Sequence, residues 1–183
     1  PLRLVGSEMC IRDSTLSGLL LALGIVLPFL TGMQLGSVLC PMHIPILLCG
    51  IICGWQYGLL IGIICPLLRS VIVGMPPIYP TAISMSVELG IYGFVSGLLF
   101  EKLKNKNLNL LLVCFISLIS AQLLGRLGWG LVRFIMGLID KTNVFTFSAF
   151  LSGAFIVAWP GILVQLIIIP ILIISLNKAG YIK

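Results

Sequence analysis

The chain has 183 residues, 60% of them hydrophobic and only 9% charged, against about 25% charged in a soluble domain. With a mean hydropathy of +1.23 it reads as an integral membrane protein with no room for a sizeable soluble domain. The net charge of +6 is not gathered into a basic stripe of the kind that nucleic acid needs, so no nucleic-acid partner is expected.

The first fourteen residues, PLRLVGSEMCIRDS, depart from the pattern. They hold Arg3, Glu8, Arg12 and Asp13, whose charges cancel, so the net positive charge lies beyond them. They lack the apolar run and small-residue cleavage site of a signal peptide. The string SEMCIRDS resembles a translated sequencing-adapter scar. Residues 1–14 are therefore set apart as a non-native leader with the natural start lost, and residues 15–183 are expected to form a single membrane domain. The expected fold class is all-α integral membrane, a six-transmembrane-helix bundle with short loops, since about 20 apolar residues cross a bilayer.

In chain order, the first span covers residues 15–30 and gives way to a loop, TGMQLGS. Gly18 and Ala22 stand four apart on it, a small-xxx-small spacing that lets another helix approach closely. The second span, 42–55, is short, with His43 at its outer edge. The third, 58–73, carries Arg69 and leads into the proline-rich turn GMPPIYP. The fourth, 80–100, carries Glu88 and Tyr92, and ends in the charge-dense loop EKLKNKN. The fifth runs over 108–133 and is followed by the loop DKTN. The sixth, 147–176, is kinked at Pro160 and Pro170. A short basic tail closes the chain.

Loop lysines set the orientation. Six spans put both termini and Lys102, Lys104 and Lys106 on one side, and the positive-inside rule makes that side cytoplasmic. The polar side chains of the spans then cluster in the outer half. This predicts a pocket open to the outside, covered by residues 31–40 and 74–80, and closed below.

A charge inside an apolar span costs a few kcal/mol, so each is a functional-site hypothesis. Arg69 and Glu88 lie 19 positions apart across one turn. They either neutralise each other as a structural ion pair or release one member to a ligand. Gln122, Arg126, Trp129 and Arg133 recur at i, i+4, i+7 and i+11, on one helix face. Guanidiniums suit a carboxylate and the indole an apolar wall. Alternatively, Arg133 snorkels to headgroups and Trp129 belongs to an interfacial belt. Trp159-Pro160-Gly161 reads either as a helix break at ligand depth or as an ordinary kink. With one acid, Glu88, for two cations, Arg69 and Arg126, a ligand carboxylate is expected to complete the site.

Met33, Cys40, Met42, His43, Met75 and Met85 map near the outer mouth and would suit a soft ion such as Cu(I). They show no tight ligand spacing, and a stand-alone secondary carrier or soft-metal permease stays as the alternative reading. Cys49, Cys53, Cys65 and Cys114 lie within spans and read as small hydrophobes. The chain has no GxxxxGK[ST], HExxH, GxSxG or CxxC. No enzyme activity and no cofactor are expected, and uphill transport would need an ion gradient or a partner ATPase.

The run PMHIPILLCGIICGWQYGLLIGIICPLLRSVIVGMPPIYPTAISMSVELGIYGFVSGLL, from Pro41 to Leu99, resembles the substrate-binding S component of energy-coupling factor (ECF) vitamin transporters. The short second span, Arg69 before GMPP and the segment from Glu88 to Gly93 carry the likeness. It implies a subunit in a bacterial cell membrane, capturing one micronutrient from outside. It also implies partners: a transmembrane T component and two cytoplasmic ATPases. The small residues of the first helix, here Gly18 and Ala22, would contact the T component. The pattern is most similar to the pantothenate and related uncharacterised branch, and pantothenate carries a carboxylate. From the polar residues of the spans, the expected substrate-binding residues are His43, Arg69, Glu88, Tyr92, Gln122, Arg126, Trp129 and Trp159.

Overall fold

A computed structural model describes residues 2–106, 108–140 and 146–179, without the side chains of 2–10, 31–39, 154 and 155. Among the described residues there are seven α-helices, two π-helical turns and no strand. The loop expected at 141–143 and the end of the basic tail lie outside them, as does the side chain of Met33.

The first helix, α1 (Leu2–Leu39), does not stop at residue 30. The expected loop TGMQLGS is helical. Pro28 lies inside the helix, and no further proline comes before Pro41. Glycine alone costs a helix only about 1 kcal/mol. The break comes at Cys40, with a φ of 45°.

Next, α2 (His43–Cys53) has 11 residues and rises about 16 Å, half of a hydrocarbon core about 30 Å thick. Most of it is buried. Five helical stretches are long and apolar enough to cross a membrane: Ile11–Leu30, Trp55–Val73, Ile78–Lys104, Leu110–Ile139 and Trp159–Lys178. Among the described residues, five long apolar helices and one short one thus stand where six spans were expected.

Gly54 (φ 97°) turns the chain directly into α3 (Trp55–Val73). That helix ends on Gly74 in the left-handed conformation, whose N–H returns to the Ser70 carbonyl. Ser70 also donates to the Pro76 carbonyl and so braces the turn. A π turn at Ile78–Ala82, with extended backbone at Tyr79, feeds α4 (Ile83–Lys104). Then α5 (Leu110–Ile139) follows. The sixth predicted span is discontinuous: α6 (Phe147–Leu151), a π turn at Ser152–Ile156, and α7 (Trp159–Lys178). The break falls just ahead of Pro160, which sits in the first turn of α7, where a missing N–H is tolerated.

The centre of the molecule is α4, packed against α2, α3 and α5. Glycines make the approach possible. A Cβ on Gly93 would fall on the Gly58 backbone, and one on Gly62 on the Leu89 carbonyl. Gly58/Gly62 and Gly93/Gly97 are two GxxxG pairs; Gly58 and Gly93 meet backbone to backbone, Gly62 lies against Leu89, and Gly97 against Gly50 and Trp55. Cys49, Cys53, Cys65 and Cys114 are buried free thiols within this packing.

Candidate functional site

Glu88 and Tyr92 are four apart on α4 and share a face. The Tyr92 hydroxyl donates to Glu88 Oε1 over 3.0 Å. From α5, Arg126 Nη1 forms an ion pair with the same oxygen at 3.2 Å. From α2, His43 Nε2 lies 3.8 Å from it. One carboxylate oxygen thus gathers three polar groups from three helices. Glu88 is 2% exposed, Tyr92 1%, His43 2% and Arg126 7%. Charges so deep persist only when paired.

The local reasons are specific. His43 stands at the first turn of α2, and its Nδ1 lies 3.1 Å from the Cys40 carbonyl. That carbonyl only accepts, so the Nδ1 nitrogen carries the proton. The His43 ring tilts against Tyr92 with centroids 5.2 Å apart. Gly125, beside Arg126, leaves space for the Tyr92 ring, on which a Cβ there would fall.

One turn before Arg126, Gln122 Nε2 donates to Gln165 Oε1 on α7 over 2.9 Å. Both amides are buried. Sequence reading found Gln122 but missed Gln165. It is the lone strongly polar residue within the apolar run of α7, and the rule that singled out Gln122 would have found it. Among the described residues, three buried nitrogens here have no hydrogen-bond partner: His43 Nε2, Arg126 Nε and Gln165 Nε2.

Arg69 does not join this cluster. Its guanidinium lies over the Phe29 ring of α1, 5.9 Å from the centroid, and no acid faces it among the described residues. The expected pairing with Glu88 is corrected by azimuth rather than depth. Gly93 faces α3, and Glu88, five residues earlier, is turned about 140° away from it at 100° per residue. On α3, Cys65 is one turn before Arg69 and meets Gly24 of α1. Arg69 follows that face.

The α5 face divides. Gln122 and Arg126 enter the polar cluster, whereas Trp129 stacks on Phe150 at 6.3 Å and Arg133 lies over the Trp129 ring at 5.8 Å. Trp159 opens α7 with 58% exposure and stands outside the cluster. Among the described residues, no group of three His, Cys, Asp or Glu side chains could hold a metal ion.

A family model for the ECF transporter substrate-specific component matches residues 12–173. No curated protein and no solved structure matches the chain.

Proposed function

The chain belongs to the family of ECF transporter substrate-specific components, and from that premise we propose that it captures a vitamin or related micronutrient on the outer side of a bacterial plasma membrane. It hands that substrate to an ATP-driven importer, made with a T component and two cytoplasmic ATPases. It performs no catalysis itself. Both termini and the loop bearing Lys102, Lys104 and Lys106 face the cytoplasm.

The observation that carries the reading is the convergence of His43, Tyr92 and Arg126 on Glu88 inside an apolar bundle. Intramembrane ionisable groups mark substrate pathways, and here they are held by α2, α4 and α5 at once. The proposed contact set is His43, Glu88, Tyr92, Gln122 and Arg126, with Gln165 added and Trp129 as an outer wall. Arg69 and Trp159 face elsewhere and leave it.

Gly18 and Ala22 are proposed as the partner contact. Both are exposed, and a Cβ on Gly18 would meet nothing within 4 Å, so that face is open to another helix. Expression with its genomic T component and ATPases tests the reading. A stable complex that concentrates a labelled micronutrient only with ATP is the expected result. Uptake by the chain alone, driven by an ion gradient, would favour the stand-alone carrier instead.

A further inference from the structure

We infer that the molecule captured at the cluster between α2, α4, α5 and α7 is electrically neutral and rich in hydrogen-bond acceptors. This rests on the binding reading above and names the substrate class of that site. Arg126 and Glu88 pair at 3.2 Å, with relative side-chain exposures of 8% and 3%, so the site's own charges cancel. The second cation once counted toward it, Arg69, is turned onto Phe29. Tyr92, Gln122 and Gln165 are uncharged, as is His43 in the Nδ1–H tautomer that the Cys40 carbonyl selects. Arg133 lies farther along α5, over Trp129. A carboxylate entering this site would be a second negative charge beside Glu88. Two carboxylates sharing one site cannot both ionise readily. Glu88 would have to give up Arg126, and no other buried cation of the cluster would receive it.

The unpaired nitrogens say what the ligand supplies. Arg126 Nε and Gln165 Nε2 are buried and have no partner among the described residues, and both are donors only. Leaving a buried donor unmade is expensive, so each is matched by an acceptor from outside the chain. His43, with Nδ1–H held by the Cys40 carbonyl, presents Nε2 as an acceptor, so the ligand also supplies one donor. Carbonyl or heteroaromatic nitrogen acceptors together with one amide N–H, on an uncharged framework, satisfy this pattern without adding charge.

The test has two arms, both on purified full-length protein in detergent. Molecules released on denaturation are identified by mass spectrometry. The stripped protein is then titrated with riboflavin and with two pairs, biotin against biotin amide and pantothenate against its neutral alcohol. The expected result is a released molecule without net charge and at least ten-fold tighter binding of the uncharged member of whichever pair binds. Glu88→Gln removes the internal anion and should shift that preference toward the acid by ten-fold or more. A released anion, wild-type binding of an acid as tight as its neutral partner, or no release together with no binding of any of these probes would overturn the inference. Gln165→Leu and the paired Glu88→Gln/Arg126→Gln exchange separate the two readings. A released anion lost from these variants sinks the neutral class alone. Release unchanged in both variants removes the ligand from this cluster, and the binding reading falls with it.

Discussion

Arg69 and Arg126 are chemically identical, yet their neighbours give them different weights. Arg126 neutralises a carboxylate that is 2% exposed, and removing one member of a buried pair leaves the other uncompensated, at about 3–5 kcal/mol. Arg126→Ala should therefore lower thermal stability sharply in detergent. The paired Glu88→Gln/Arg126→Gln exchange should recover most of the loss. Arg69 makes a half-buried cation–π contact with Phe29, worth ~0.5–2 kcal/mol, so Arg69→Gln should lower the melting temperature far less. Equal destabilisation by the two single changes would mean that Arg69 carries a buried anion after all. Tyr92→Phe removes one bond to a charged acceptor, and a loss of about 1.5–3 kcal/mol is expected by the same assay.

Helices in this molecule are positioned by glycine more than by large side chains. Gly62 and Gly93 sit where a Cβ would fall on the backbone of the facing helix. Backbone cannot rotate aside as a side chain does, so Gly93→Val should force α3 and α4 apart. Overpacking costs about 1–3 kcal/mol and sometimes more. Loss of the folded monomer on size-exclusion chromatography is the expected readout. The α1 face behaves oppositely. Gly18→Leu meets open space, so folding and ligand binding should persist while association with the T component and uptake fall. Equal loss of binding and uptake would place Gly18 in the core or the pocket. The short α2 has a related role: eleven residues cannot cross the bilayer, but they carry His43 from the chain turn at Cys40 directly onto Glu88.

At the scale of the whole molecule, polarity is distributed unevenly. The paired charges and amides lie where α2, α4, α5 and α7 meet, while the exposed faces of α1, α5 and α7 are Leu, Ile, Val and Phe and suit lipid. Glu101, Lys102 and Lys104 collect at the far end of α4. If that end is cytoplasmic, a cysteine placed at Asn105 in a chain cleared of its native thiols should be labelled by an impermeant maleimide only in inside-out vesicles. Labelling in intact cells would invert the proposed orientation and move the capture site to the wrong side of the membrane.

Composition alone determined that the chain is all-helical and membrane-embedded, because apolar runs of this length have no other stable solution in lipid. The same rule marked Glu88, Arg126, Gln122 and His43, since a polar residue inside such a run has to find a partner. Local pattern went further where chemistry is local: Gly74 ends a helix, Pro160 begins one, and Glu88 and Tyr92 share a face at a spacing of four. It misplaced what depends on how helices are rotated about their own axes. Depth along a span follows from counting residues, but azimuth is set by which faces pack, and here Gly58, Gly62, Gly93 and Gly97 decide that. Their packing turned Arg69 toward α1 and Glu88 toward α5, while Gln165 of the last helix meets Gln122 through a separate contact. The partner of a buried charge is a long-range contact, so only the tertiary structure could assign it.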